Sequence, residues 1–141
     1  MKKLVALAVL LLFGFVLAAE TPAGWIDDFA EAQKIAQKEN RPMLLLFTGS
    51  DWCPYCIQLH DEILSKSAFK NFAASKNLVL VYIDFPRQSK MSREAKRRNE
   101  QLARQYGIEG FPTTIVLSAD GKELGRTPEG YLDALNRMLK K

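Results

Sequence analysis

The sequence predicts an α/β fold in which a mixed central sheet carries helices on both faces. Two apolar runs of strand length, Met43–Phe47 and Leu78–Ile83, alternate with segments of helical periodicity. Strands joined through a helix run parallel, because the crossover returns the chain to the same end of the sheet. A third run, Thr114–Leu117, is followed by the turn sequence Ala119–Lys122 and by Glu123–Thr127, which indicates an antiparallel hairpin. The sheet should therefore combine parallel and antiparallel strands.

The predicted helices lie before, between and after these strands. The first covers Trp25–Asn40, where apolar residues recur at helical spacing and where Asp27 and Asp28 place negative charge in the first turn. The second begins at Pro54 and runs to about Leu64. The remaining predicted helices are a shorter piece capped by Ser67, a helix over Arg93–Tyr106 and a final helix over Glu129–Lys140. The strands are almost wholly apolar, so we expect these helices to bury them on both faces.

Length, charge and the N-terminal composition indicate a single exported domain. The chain has 141 residues and a formal net charge of +4, an excess too small to indicate a nucleic-acid partner. Residues 1–19 resemble a secretory signal, with a basic start, an apolar stretch over Leu4–Leu17 and a small-residue cleavage site ending at Ala18 or Ala19. An uncleaved membrane anchor is the alternative, but the stretch is shorter than the ~20 residues that span a bilayer. We expect a domain over residues 20–141, a periplasmic or otherwise exported location and a monomer.

The only two cysteines, Cys53 and Cys56, lie where the first predicted strand meets the second helix. Pro54 suits the first helical position. This places Cys53 at the N-cap, where unpaired N–H groups and the helix dipole favour a thiolate. The thiolate is the reactive form of cysteine, and its pKa in such motifs falls from about 8.5 to roughly 3.5–7.5. With Trp52 directly upstream, the setting favours a redox dithiol over half a zinc site or a purely structural disulfide.

Three features, in this order, resemble the thioredoxin superfamily. They are a strand running into Trp52–Cys56, the segment Tyr106–Thr113, and a terminal hairpin with Asp120 and Gly121 followed by a helix. More narrowly, Gly49–Asp51 before the Trp-Cys pair is similar to exported bacterial thioredoxin-like proteins. The resemblance covers roughly Trp25 to the C-terminus. It implies a thioredoxin-like fold. No cofactor is predicted.

The resemblance also implies roles for individual residues. Cys53 would attack a substrate disulfide and Cys56 would resolve the mixed disulfide. Pro112 would follow a cis peptide bond and face the cysteines, so that the backbone of Phe111 could offer its polar groups to an extended substrate strand. The residues expected to contact substrate are Trp52, Pro54, Tyr55, Phe111 and Pro112.

The predicted function is that of an exported thiol–disulfide oxidoreductase that reduces protein disulfides. Because the chain has no further cysteines, its re-reduction requires another protein, either membrane-bound or soluble. The same residues would serve an isomerase or an oxidant, and the Pro-Tyr dipeptide between the cysteines is that of glutaredoxins. A binding module with a structural disulfide is the alternative from another functional class.

Two positions depart from the thioredoxin pattern. The buried acid six residues before the first cysteine is replaced by Phe47, and the kinking proline five residues after the second is replaced by Asp61. The usual acid that helps to deprotonate the resolving thiol is therefore absent. Asp51, Asp61 and Glu62 are candidates to replace it, although such residues are more often solvated surface charges.

A single histidine and a basic run carry two further hypotheses. His60 lies four residues after Cys56 on the same predicted helix, so the two thiols and the imidazole could bind copper or zinc. A helix histidine without a ligand is the simpler interpretation, and no metal is predicted. The run Arg87–Arg98 carries six basic residues against Glu94 alone. We expect a solvated face there, with docking of an acidic partner or an anionic membrane as the alternative.

Overall fold

The computed structural model describes residues 18–127 and 131–140, which form five strands and five α-helices. The strands are β1 (Trp25–Ile26), β2 (Met43–Thr48), β3 (Val79–Asp84), β4 (Thr113–Leu117) and β5 (Glu123–Thr127). The helices are α1 (Phe29–Glu39), α2 (Pro54–Leu59), α3 (Ser67–Ser75), α4 (Arg93–Gln105) and α5 (Tyr131–Leu139). Within the described ranges, no helix is long and apolar enough to cross a membrane. Residues 1–17 of the predicted signal peptide and the predicted start of the last helix at Glu129 lie outside them.

Strand β2 lies at the centre of the sheet, in the strand order β1-β3-β2-β4-β5. It pairs with β3 in parallel, from Met43 opposite Val79 to Thr48 opposite Asp84, and with β4 antiparallel. Strands β4 and β5 form the antiparallel hairpin. The predicted mixed sheet is confirmed. All six residues of β2 are buried, which explains its unbroken apolar sequence.

Successive residues of β2 enter two hydrophobic clusters, one on each face of the sheet. Met43, Leu45 and Phe47 pack with residues of α1 and α4. Leu44 and Leu46 pack with residues of α2, α3 and α5. Because neighbouring side chains of a strand point to opposite faces, one apolar strand supplies both cores. The prediction of helices on both faces is therefore also confirmed.

The first helix begins later than predicted. Trp25 and Ile26 form β1, which pairs in parallel with the middle of β3. Helix α1 starts at Phe29, and the carboxylate of Asp28 accepts hydrogen bonds from two backbone N–H groups of the first turn at 3.0 and 3.2 Å. Asp28 is thus the N-cap of the helix and not part of its first turn. The predicted helix start at Trp25 was wrong, because pairing with β3 holds this segment in an extended conformation.

The helix after the cysteines has the predicted extent but changes its winding. Helix α2 ends at Leu59, and residues His60–Leu64 continue it as a π-helical turn. This turn includes Asp61, the position of the missing proline. π-helical turns are one of the few local causes of a helix bend. The next helix begins at Ser67 with Lys66 in the N-cap position, so Ser67 is not the cap that the sequence predicted.

Candidate active site

The two cysteines lie just beyond the end of β2, where the chain enters α2. Cys53 is the N-cap of α2 and Pro54 is its first residue, as predicted. Cys53 and Cys56 form a disulfide with their Cα atoms 5.2 Å apart. The two cysteines are only 4% and 3% exposed, whereas Tyr55 between them is 73% exposed. The disulfide is therefore recessed beside a projecting aromatic residue.

Backbone N–H groups donate hydrogen bonds to both sulfur atoms. The N–H of Cys56 lies 3.3 Å from Cys53 Sγ, and the N–H of Gly49 lies 3.4 Å from Cys56 Sγ. A hydrogen-bond donor stabilises a negatively charged sulfur more than a neutral one. Once the disulfide is reduced, this arrangement can stabilise a thiolate at either cysteine.

The loop before β4 faces the disulfide. The peptide bond between Phe111 and Pro112 is cis, as the resemblance implies. The carbonyl oxygen of Phe111 lies 3.7 Å from Cys53 Sγ. The ring of Phe111 packs against Trp52 and Phe85, with centroid distances of 6.0 and 4.9 Å. The structure therefore brings Phe111, Pro112 and Trp52 together beside Cys53, with Pro54 and Tyr55 exposed next to them.

Trp52 is held by contacts on several sides. Its Nε1–H donates a hydrogen bond to the carbonyl oxygen of Phe85 at 2.7 Å. The guanidinium carbon of Arg87 lies 3.6 Å from the ring centroid, a cation–π distance. A Cβ atom at Gly49 would lie 2.5 Å from the indole ring, so this close approach requires glycine. The tryptophan is thus fixed in place next to the cysteines.

Asp51 joins the active-site loop to the loop that follows β3. Its carboxylate accepts hydrogen bonds from the backbone N–H groups of Arg87, Gln88 and Ser89 at 2.9, 2.8 and 2.7 Å. Desolvation by burial acts to raise the pKa of Asp51, but these hydrogen bonds outweigh it and hold the pKa below its usual range. In the described part of the chain, its carboxylate contacts go to this loop and not to a cysteine, so Asp51 does not take the place of the missing acid.

A buried carboxylate that the sequence analysis did not single out lies beneath the same loop. Asp84, the last residue of β3, is 4% exposed. It accepts hydrogen bonds from the N–H and the hydroxyl of Ser50 at 3.0 and 2.5 Å, and from the N–H of Phe85 at 2.8 Å. Burial raises the pKa of Asp84, while these hydrogen bonds oppose the rise. The available signal was an acid ending an apolar strand parallel to β2, at the edge where the cysteines lie.

The other candidate charges are exposed. Nδ1 of His60 lies 3.1 Å from a carboxylate oxygen of Asp61, and Glu62 accepts a hydrogen bond from Gln58. Among residues 18–127 and 131–140, no three His, Cys, Asp or Glu side chains are grouped so that they could hold a metal ion. The hypothesis of a copper or zinc site that includes His60 therefore has no geometric support.

The basic run forms the loop after β3 and the first half of α4. All six of its basic residues are exposed, as expected for a solvated face. Arg97 and Lys96 have carboxylate neighbours on the same helix at 3.7 and 4.0 Å. Pairs this exposed contribute little to stability. The run is connected to the disulfide region through Arg87 and its contact with Trp52.

Comparison with known proteins agrees with this geometry. A family model for a thioredoxin-like domain matches residues 29–141. The chain is 40% identical to the disulfide bond reductase DsbH of Chlamydia pneumoniae over 100 residues. This alignment covers 71% of this chain and 60% of that protein. The chain is 24% identical to the thiol:disulfide interchange protein DsbD of Pasteurella multocida (strain Pm70) over 110 residues. This second alignment covers 77% of this chain and 18% of that protein. The chain thus spans 60% or less of the length of these two relatives.

Solved structures show the same fold. A structure of DsbH oxidoreductase superposes with a TM-score of 0.73 at 35% identity, over 88% of this chain and 92% of that one. A thioredoxin from Thermus thermophilus superposes with a TM-score of 0.60 at 22% identity, over 89% and 86% of the two chains. At that identity the second likeness concerns the fold alone. The family match over most of the chain, the five-stranded sheet and the disulfide at the start of α2 together show that this chain belongs to the thioredoxin-like family.

Proposed function

We propose that this protein is an exported thiol–disulfide oxidoreductase that reduces disulfides in other proteins through Cys53 and Cys56. The observation that carries the proposal is a disulfide at the N-cap of α2 in which each sulfur accepts a backbone N–H. The similarity to a protein named disulfide bond reductase supports reduction as the direction. The signal-like sequence of residues 1–19 supports export and removal of that segment.

The reaction proceeds in two exchange steps. The thiolate of Cys53 attacks one sulfur of the client disulfide, and the other client sulfur leaves as a thiolate that takes up a proton. The thiolate of Cys56 then attacks Cys53 Sγ, which breaks the bond to the client and releases its second sulfur. The client gains two electrons, and the protein is left with the Cys53–Cys56 disulfide. The hydrogen bonds to the two sulfur atoms stabilise the thiolates that these steps require.

The client is an extended segment of another protein. Cys53 is recessed, so a disulfide within a rigid, convex surface has poor access to it. The proposed client-binding residues around it are Trp52, Pro54, Tyr55, Phe111 and Pro112. Tyr55 and Ile57 are the large apolar side chains with the greatest exposure among the described residues, and they provide an apolar contact area beside the disulfide.

Electrons return to the pair from a second protein. The chain has only two cysteines, and both are used in the exchange. A membrane-bound or soluble dithiol protein therefore has to reduce the Cys53–Cys56 disulfide after each cycle. The similarity to DsbD, named a thiol:disulfide interchange protein, is consistent with a donor of this chemical class.

Single-cysteine variants test the mechanism. Cys53→Ser should abolish the reduction of insulin disulfides, measured as turbidity in the presence of dithiothreitol. Cys56→Ser should retain the attacking thiol and accumulate mixed disulfides with client proteins on non-reducing gels. The double variant should trap nothing and serves as the matched control. Insulin reduction above background by Cys53→Ser would exclude this mechanism.

The reduction potential of the pair tests the direction. About 30 mV corresponds to roughly 1.4 kcal/mol for a two-electron couple, so equilibration in thiol–disulfide buffers separates the possible roles. We expect a value near −250 mV or lower, as for a reductant such as thioredoxin at about −270 mV. A value near −120 to −180 mV would instead assign the pair to oxidation or isomerisation.

A further inference from the structure

Asp84 is connected to Cys56 through the backbone of the active-site loop. Both oxygens of its carboxylate bind Ser50, one through the N–H at 3.0 Å and the other through the hydroxyl at 2.5 Å. The preceding residue, Gly49, donates its N–H to Cys56 Sγ at 3.4 Å. Burying a carboxylate costs free energy even when it is hydrogen-bonded, so stability alone is a poor reason for an acid at this place.

The contacts of Asp84 hold one of the two peptide planes that flank Gly49. The carbonyl of Gly49 shares one rigid peptide plane with the N–H of Ser50, so a carboxylate that holds this N–H also orients the carbonyl. That carbonyl accepts the N–H of Cys53 at 2.9 Å. On the other side of Gly49, Thr48 is paired with Asp84 across the sheet. The carbonyl of Thr48 shares a peptide plane with the Gly49 N–H and accepts the N–H of Phe85 at 2.9 Å. Both ends of the glycine are therefore held by Asp84 or by the strand that carries it.

We propose that Asp84 is a positioning residue for the resolving cysteine, which acts by holding Ser50 so that the Gly49 N–H points at Cys56 Sγ. The inference rests on the proposed function of the cysteine pair. Cys56 must lose its proton before its sulfur attacks Cys53 Sγ and the client sulfur leaves as a thiolate. A well-placed N–H stabilises the thiolate of Cys56 and increases its population. Phe47, at the position of the missing acid, has no polar group to contribute.

Several other groups contribute to the electrostatic environment of Asp84. A cavity of about 40 Å³ lies next to it. Tyr82 on the same strand and Asp51 on the active-site loop interact electrostatically with Asp84. The other titratable or charged residues that line this cavity are Glu20 and Asp27, before α1, and Arg98 on α4. The side-chain amide of Asn99 donates to the backbone oxygen of Asp84 at 2.8 Å, which leaves the carboxylate to Ser50 and Phe85. All of these groups stay unchanged when only Asp84 is replaced.

Two substitutions separate orientation from charge. Asp84→Asn keeps an oxygen that accepts the two backbone N–H groups, and its NH₂ can donate to the Ser50 hydroxyl. This substitution removes the negative charge but keeps the hydrogen bonds to Ser50 and Phe85. Asp84→Ala removes both. Asp84→Thr suits a strand and is too short to reach Ser50 in the same way, so it provides the same comparison if the alanine variant folds poorly.

The first readout is the thiol pKa of each cysteine in the reduced protein, from NMR titration of ¹³Cβ-labelled cysteine. The chain has only two cysteines, so Cys53→Ser and Cys56→Ser assign both signals. We expect Asp84→Ala to raise the pKa of Cys56 by about one unit, as for loss of a hydrogen bond to a charged group. Asp84→Asn should remain near wild type. Glu62→Gln, which removes an exposed carboxylate six residues after Cys56, should leave both thiol pKa values unchanged.

The second readout is the resolving step alone. Cys53 is converted to its mixed disulfide with thionitrobenzoate, and Cys56 then releases the coloured thiolate. Asp84→Ala should slow this release about threefold below the thiol pKa, and less as the pH rises. One pKa unit is a tenfold loss of thiolate, and the greater nucleophilicity of the remaining thiolate offsets part of that loss. An unshifted Cys56 pKa in Asp84→Ala, or an equal shift in Asp84→Asn, would overturn the proposal. A wild-type protein that releases thionitrobenzoate but reduces no insulin would instead contradict the proposed function.

Discussion

Replacement of Asp51 by alanine should destabilise the fold by a predictable amount. The carboxylate accepts three consecutive backbone N–H groups of residues 87–89 at 2.9, 2.8 and 2.7 Å. An intramolecular hydrogen bond contributes about 0.5–1.5 kcal/mol net. Water can replace the carboxylate at this exposed loop, so the lower half of that range applies. Three such bonds give a loss of about 2 kcal/mol in the free energy of unfolding at pH 7. Asp51→Asn keeps one acceptor oxygen and should lose about half as much.

The same carboxylate gives the effect a pH dependence of known sign. The hydrogen bonds lower the pKa of Asp51 in the folded state below its ordinary value of 3.8. A carboxyl group with a depressed pKa stabilises the fold fully above its unfolded pKa and loses that contribution as the pH falls through the folded pKa. The gap between wild type and Asp51→Ala should therefore be complete at pH 7 and shrink in strong acid.

Urea denaturation followed by circular dichroism at pH 7 and near pH 2 measures both effects. Asp61→Ala is the matched control, because Asp61 is a carboxylate whose side chain is 67% exposed, on the π-helical turn. It should change the free energy of unfolding by less than about 0.5 kcal/mol. A loss of unfolding free energy below about 0.5 kcal/mol for Asp51→Ala at pH 7 would refute the reasoning. A difference between wild type and Asp51→Ala that is as large near pH 2 as at pH 7 would also refute it.

Two further predictions concern the packing around Trp52 and the titration of Tyr82. Gly49→Ala places a Cβ atom 2.5 Å from the fixed ring of Trp52 and should cost about 1–3 kcal/mol in urea denaturation, as for overpacking. Gly125→Ala meets the flexible end of Met138 at 2.8 Å and should cost clearly less, so equal losses would contradict this distinction. Burial raises the pKa of Tyr82 from 10.0 to about 12, so wild-type stability should be intact below pH 10 and fall as the pH rises toward 12. Burial also raises the pKa of Tyr106, so thermal unfolding of Tyr82→Phe across this range should show a smaller fall than wild type. Parallel curves for the two proteins would show that Tyr82 does not titrate as expected.

The sheet could be predicted because its central strands are buried on both faces. Two strands that need apolar residues at every position leave an unbroken signal in the sequence, and the closing hairpin has its own turn residues. Strand β1 has only two residues, Trp25 and Ile26, and both also fit the apolar spacing of the helix that follows. Its extended conformation comes from pairing with β3, which is more than fifty residues away in the chain. No local pattern carries that information.

The candidate site also has some residues that the local sequence predicts and others that depend on contacts distant in the chain. The positions of Cys53 and Pro54 follow from local chemistry, because an N-cap and a first helical residue are set by the sequence around them. The contacts of Asp51 and Asp84 join the loop after β2 to the end of β3 and to the loop after it, over sequence separations of 34 to 38 residues. The sequence around Asp84 shows only that this residue ends an apolar strand. Only the parallel pairing of the two strands brings it under the cysteine loop.

The central position of β2 also has a consequence for motion. Amide hydrogen exchange from such a strand usually requires the whole domain to unfold, since partial openings begin at edges and termini. The cysteine pair therefore follows directly from a segment that should be among the last to open. We expect β2 to keep its conformation through each redox cycle, while the loops around the disulfide adjust to a client. Exchange rates of the β2 amides that match global unfolding in both the oxidised and the reduced protein would show this division.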